Sequence, residues 1–124
     1  MTMRDSISAA RTAGPSLQTD GTQSFEFNFR AADPTFAGHF PGRPILPGVF
    51  QLEITRMAAE WILNCRLSLQ EVVRGKFQRP VLPEETLKLS LKLAEADGVI
   101  SVRGSFICGG QPAGEAFLKL CRNE

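Results

Sequence analysis

The sequence is poor in the residue types that build metal centres and disulfide frameworks. It contains one histidine, three cysteines, one tryptophan and no tyrosine. A zinc site normally draws three or four ligands from recognisable spacings, so we expect no metal. Cys65, Cys108 and Cys121 form no Cys-x-x-Cys pair. We interpret them as reduced thiols in apolar positions rather than as a redox site.

The sequence also lacks a large excess of charge of one sign, and it lacks long apolar runs. The 124 residues carry a formal net charge of +1, whereas a nucleic-acid-binding domain is usually strongly basic. No apolar run approaches the roughly 18 residues of a membrane-spanning helix. Residues 1–21 lack the apolar region of a secretory signal. We therefore expect a cytoplasmic protein with neither a nucleic-acid partner nor a membrane span.

The residue pattern predicts an α+β fold in a single domain. Residues 1–22 show no sustained periodicity and are predicted to form a flexible leader before a domain at 23–124. Apolar residues within 48–65 recur at helical spacing and form one continuous stripe. Alternating segments before and after them predict a strand near residue 25 and an antiparallel meander of about four strands. A helix with such a stripe must be covered, so we expect a curved antiparallel sheet wrapped around one long central helix.

Candidate chemistry is concentrated in the loop before this helix and in its first turns. The loop holds half of the prolines, which stiffen it, and the only histidine, His39, whose side chain can exchange a proton near neutral pH. Gly48 stands where the helix begins. The first amides of a helix have no intrahelical partner, and a glycine there lets a carbonyl oxygen that gains negative charge approach them.

Glu53 follows in the second helical turn. It falls at one edge of the apolar stripe, so we expect a partly desolvated carboxyl group that can donate a proton. Glu60 is expected further round the helix, towards solvent. Taken singly, His39 and Glu53 are more often a structural hydrogen-bonding group and a solvated charge. Together with the helix terminus they suit removal of a proton α to a thioester with loss of a β-hydroxyl.

Residues 36–53 resemble the hot-dog-fold 3-hydroxyacyl-[acyl-carrier-protein] dehydratases of the FabA/FabZ type. The matching string is Gly-His-Phe-Pro-Gly-x-Pro, then Pro-Gly-Val, then an acid fourteen residues after the histidine, with a looser similarity at residues 75–81. The resemblance implies that His39 is the catalytic base and that Glu53 is the catalytic acid, contributed by the other subunit. It further implies that the amides of Gly48 and Val49 bind the substrate carbonyl.

The same resemblance implies a homodimer, an acyl-carrier-protein partner, a narrow acyl tunnel and no cofactor beyond the carrier's phosphopantetheine. Phe40 and Phe77 are candidates for the tunnel wall, with core packing an equal alternative for Phe77. Carrier proteins of this kind are acidic, so the docking surface should be basic. The candidates, for which ordinary surface solvation is the alternative, are Arg43, Arg56, Arg74, Lys76 and Arg79.

The sequence also departs from the family's main branch. Residues 55–59, Thr-Arg-Met-Ala-Ala, replace the more usual Ala-Met-Ala-Gln run, and the usual N-terminal motif is missing. These differences fit a shortened, specialised member resembling the aryl-polyene dehydratases. We expect dehydration of a (3R)-3-hydroxyacyl thioester to the trans-2-enoyl thioester in fatty-acid or related acyl or polyene biosynthesis. A hot-dog acyl-thioesterase and a non-catalytic acyl-carrier or acyl-chain binding module remain open alternatives.

Overall fold

The computed structural model describes residues 2–36 and 45–123. Within them the longer elements are two α-helices and six β-strands, and a short 3-10 turn covers Pro34–Phe36. In chain order the elements are α1 Met3–Ala10, β1 Arg11–Leu17, β2 Gln23–Asn28, α2 Gly48–Leu63, β3 Leu67–Phe77, β4 Thr86–Ala96, β5 Val99–Cys108 and β6 Gln111–Arg122.

The six strands form one antiparallel sheet in the order β1-β2-β4-β5-β6-β3. Strands β4, β5 and β6 are the predicted meander, but the prediction is wrong for β3, which pairs with β6 at the far edge. The reason is the length of α2, since 16 residues at about 1.5 Å each carry the chain across the sheet. Strands β1 and β3 are therefore the two edges.

The core lies between α2 and the concave face of the sheet. Ile54, Met57 and Ala58 of the helix are fully buried. The Trp61 ring packs within 5.9 Å of Phe25, which lies on β2. This burial of the helical stripe confirms the predicted hot-dog architecture of a curved antiparallel sheet around one long helix.

Residues 2–22 include a helix and a strand, whereas a flexible leader is predicted there. Helix α1 begins with a capping box between Thr2 and Asp5, and it buries Ile7 completely. Strand β1 then pairs with β2, with breaks in register on either side of Ala13. A helix of two turns is too short to display a sustained apolar period. Pro15 argues against a strand in the sequence, but β1 is an edge strand, and an edge strand tolerates a proline.

The remaining sequence expectations concern thiols and membrane spans. The three cysteines are free, and burial raises the pKa of the Cys108 thiol, in keeping with a small apolar residue. The part of the chain that the structure describes brings together no His, Cys, Asp and Glu cluster suited to a metal. Neither described helix is both long and apolar enough to cross a bilayer.

Candidate active site

The N-terminus of α2 presents backbone donors at the surface. Pro47 is the N-cap residue, and no side chain of the described residues caps the helix there. The amides of Gly48 and Val49 have no intrahelical acceptor, and the helix dipole adds partial positive charge at this end. Val49 is exposed. This terminus can therefore stabilise an oxygen that acquires negative charge.

Phe77, the last residue of β3, packs on the same helix terminus. A Cβ atom placed on Gly48 would lie 2.9 Å from two carbons of the Phe77 ring, closer than real side chains allow. Glycine at position 48 is therefore needed to admit this ring, a reason that the sequence did not indicate. About half of the Phe77 side chain remains exposed. The ring thus borders the exposed amides at the start of the helix.

Glu53 lies one turn further along α2 and is held by an arginine. Its side chain is one-quarter exposed, which confirms the expected partial burial. The guanidinium of Arg56, three residues later, donates to the Glu53 carboxylate. Arg56 is a sequence candidate for carrier docking, whereas the structure directs its charge to the candidate acid.

Glu60 is buried, and its predicted solvent position is wrong. Its Oε1 accepts from Arg4 of α1 at 2.7 Å, and its Oε2 accepts from Arg56 at 3.0 Å and from the Leu67 amide at 2.9 Å. Burial opposes its charge, but this amide and the two guanidiniums hold the pKa of Glu60 below its ordinary value. Helix α1 and the start of β3 cover the face of α2 that a helical wheel assigns to solvent.

Arg56 thereby joins the two carboxylates. Besides Glu53 and Glu60 it donates to the carbonyl of Leu67 at 2.9 Å, and only 19% of its side chain is exposed. The spacing of these residues, three and four positions apart on one helix face, was the available sequence signal. This spacing becomes informative only when the three residues are considered together.

A groove of about 500 Å³ opens between α2 and β3 beside this ion-pair network. Its apolar lining includes Val49, Leu52 and Leu69, and its charged lining consists of Glu53, Arg56, Glu60, Arg4 and Arg66. The groove runs along an edge strand on which Leu69, Val72 and Phe77 are about half exposed. It combines an apolar path with a carboxyl group, as an acyl substrate requires.

The remaining basic candidates divide into two groups. The Arg79 guanidinium already has acceptors within the chain, because it donates to Glu85 at 3.0 Å and to the carbonyl of Cys108. Arg74 is 62% exposed at 3.7 Å from Glu115, and Lys76 is exposed on the same strand. Arg74 and Lys76 therefore remain accessible to a partner. The other predicted site residues, His39, Phe40 and Arg43, lie outside the described residues.

Comparison with known proteins identifies the family. Residues 16–109 match the model of the ApeI-like family, described as ApeI dehydratase. The chain is 35% identical over 104 residues to the 3-hydroxyacyl-[acyl-carrier-protein] dehydratase FabZ of Haemophilus influenzae, covering 77% of this chain and 70% of that one. It is 33% identical over 124 residues to the FabZ of Chlamydia trachomatis, covering 84% and 80%.

Among solved structures, the dehydratase heterocomplex ApeI:P from Xenorhabdus doucetiae is similar over 90% of this chain and 96% of that chain. The TM-score is 0.72 and the sequence identity 27%. The sequence comparisons and the structural comparison thus agree over most of the length of the chain. The candidate site that accompanies them consists of a carboxyl group, helix-end amides and a partly apolar groove at one edge of the sheet. The chain belongs to the ApeI-like dehydratases of the hot-dog fold.

Proposed function

We propose that the chain dehydrates a (3R)-3-hydroxyacyl thioester, carried on acyl carrier protein, to the trans-2-enoyl thioester. The observation that carries this proposal is the largely buried Glu53 carboxyl, which opens on a partly apolar groove in a chain that belongs to a dehydratase family. The related Haemophilus influenzae FabZ is named for the same substrate class. The reaction would serve fatty-acid or related acyl or polyene biosynthesis.

The chemistry assigns one role to each candidate group. His39 accepts the proton from C2, and the electron pair of that bond forms the C2=C3 double bond. The C3–O bond breaks, and the oxygen leaves as water with the proton of Glu53. The amides of Gly48 and Val49 hold the thioester oxygen while it gains charge. The carrier's phosphopantetheine delivers the acyl chain, and the steps require no cofactor.

A second copy of the chain is proposed to complete the site. Strand β3 is an edge of 11 residues, and such an edge exposes a row of amides and carbonyls that another strand can pair with. Its half-exposed apolar side chains, Leu69, Val72 and Phe77, support burial by a partner. Two-fold pairing would bring His39 of one protomer towards Glu53 of the other. Since the similar Xenorhabdus protein forms a heterocomplex, a related dehydratase chain is the alternative partner.

The carrier and the acyl chain are assigned to two neighbouring surfaces. Arg74 and Lys76 are proposed to attract an acidic carrier protein, since their side chains are exposed. Arg43 is proposed to assist them, and Phe40 and Phe77 to line the acyl tunnel. A carrier-bound substrate of this kind implies reaction in the cytoplasm.

The test separates dehydration from thioester hydrolysis. The purified chain is incubated with (3R)-3-hydroxyoctanoyl and octanoyl thioesters of acyl carrier protein, and enoyl product and free thiol are both measured. We expect enoyl product that disappears in His39→Ala and Glu53→Gln and persists in the control Glu95→Gln, whose carboxylate binds Arg122 elsewhere on the sheet. Thiol release from the octanoyl thioester would instead indicate a thioesterase. The absence of both products would indicate a binding module.

A further inference from the structure

We propose that Arg56 is a positioning residue that orients the Glu53 carboxyl and stabilises its charge when it gives up a proton. The inference rests on the proposed dehydration. Its basis is the contact set of Arg56, whose guanidinium donates to Glu53, to Glu60 and to the Leu67 carbonyl.

The guanidinium is held in place by groups that have little freedom to move. The Glu60 side chain is only 7% exposed, and it is itself fixed by the Leu67 amide of β3 and by Arg4 of α1. A guanidinium is a planar fork, so acceptors on two elements determine both its place and its plane. Its Nη1 serves these acceptors, and its Nη2 donates to Glu53. The orientation of the candidate acid is thus set by elements outside the turn that carries it.

This placement has a chemical consequence in the dehydration step. As the C3–O bond breaks and the oxygen takes the proton of Glu53, the carboxylate forms opposite a cation that is already in place. A preorganised charge stabilises such a transition state without reorganisation, and most effectively where water is excluded.

The test compares charge removal with charge conservation at one position. The substrate is (3R)-3-hydroxyoctanoyl pantetheine thioester, which needs no carrier docking. We expect Arg56→Met to lower kcat about 100-fold with little change in KM, the size of loss typical when one transition-state donor is removed. Arg56→Lys should recover about tenfold of this loss, because it restores the charge but not the fork. The control Arg122→Met, which removes an Arg–Glu pair between β6 and β4, should leave kcat unchanged.

Thermal unfolding of each variant accompanies the kinetics, so that every assay is made well below its melting temperature. If Arg56→Met does not fold, Arg56→Lys decides: a kcat about tenfold below wild type supports the inference, and a kcat equal to wild type overturns it. A rise in KM with unchanged kcat in Arg56→Met would also overturn it. An inactive wild-type chain overturns the proposed function and this inference together, whereas an active wild type with fully active Arg56 variants overturns this inference alone.

Discussion

At the scale of single residues, the contact between Gly48 and Phe77 explains why position 48 is a glycine: the Phe77 ring occupies the space that a side chain there would need. Position 48 combines two demands: its amide is proposed to face the substrate carbonyl, and its Cα must leave room for an aromatic ring from β3. A methyl group there would meet ring carbons at 2.9 Å, whereas one on Gly75 would meet the Leu52 side chain at an ordinary 3.5 Å. The two glycines therefore make a matched pair for substitution.

Gly48→Ala is predicted to destabilise the protein by about 1 kcal/mol, because overpacking against the ring exceeds the gain in helix propensity. In a Phe77→Ala background the same substitution should be stabilising, since only the propensity gain remains. Urea unfolding of the four proteins of this double-mutant cycle gives the coupling. The control Gly75→Ala would meet the Phe77 ring only at an ordinary 3.8 Å, so its effect should depend far less on Phe77. An equal cost of Gly48→Ala in both backgrounds would contradict direct contact with the ring.

Candidate site residues could be predicted only where the signal is local. Glu53 and Gly48 are candidates because of their places at the start of a helix and because of the resemblance of residues 36–53. The contact between Gly48 and Phe77 joins positions far apart in the sequence, and it depends on the path of β3. The burial of Glu60 likewise depends on α1 and β3, which no helical wheel includes.

At the scale of elements, Glu60 ties α1, α2 and β3 together. Arg4 contributes from the first helix, Arg56 from the second, and the Leu67 amide from the strand. The pKa of Glu60 is held below its ordinary value of 4.5, so its ionised form favours the folded state. This contribution is fully present above the unfolded-state pKa and is lost as the pH falls through the lower folded-state pKa.

Glu60→Gln is predicted to lower the free energy of unfolding by about 2–4 kcal/mol at pH 7, because a buried charge network loses its central anion. The difference from wild type should shrink as the pH falls below 4.5, where protonation removes the advantage of the carboxylate. Chemical denaturation between pH 3 and pH 7 measures both proteins. The exposed Glu95 serves as the control, and Glu95→Gln should have a far smaller effect. A difference that stays constant with pH would refute the electrostatic explanation.

Most helices and strands could be predicted from the local sequence pattern, but the pairing of strands with one another could not. Helix α2 and strands β4, β5 and β6 follow from apolar periods and turn residues. Helix α1 has only 8 residues, and β1 carries a proline, so neither shows a period long enough to detect. The pairing of β3 with β6 is a consequence of where α2 ends, which is a property of the folded chain.

At the scale of the whole molecule, the sheet has two edges with different properties. Strand β3 carries several half-exposed apolar residues, including Val72. Strand β1 is short and has register breaks, and Leu17 is its one large exposed apolar residue among those described. Bulged, short edges resist pairing, whereas long apolar edges invite it. Strand β3 is therefore the edge at which we expect the proposed protein–protein contact.

Val72→Lys is predicted to convert the proposed dimer into a monomer and to reduce dehydration at least tenfold, because a charge is introduced into the face that the proposed partner would bury. Leu17→Lys makes the same chemical change at the opposite edge and should preserve the assembly and the activity. Size-exclusion chromatography with light scattering reports the mass of each variant. A Val72→Lys protein that keeps the wild-type mass would place the interface elsewhere.

The central claim is that His39 of one protomer acts with Glu53 of its partner, and subunit complementation tests it most directly. His39→Ala and Glu53→Gln chains are each inactive alone, are unfolded and refolded together, and are then assayed for enoyl product. Random pairing gives half mixed dimers with one intact site in each, so the account predicts about a quarter of the wild-type activity. If the refolded mixture forms mixed dimers and remains as inactive as its parents, the two groups do not meet across a subunit boundary.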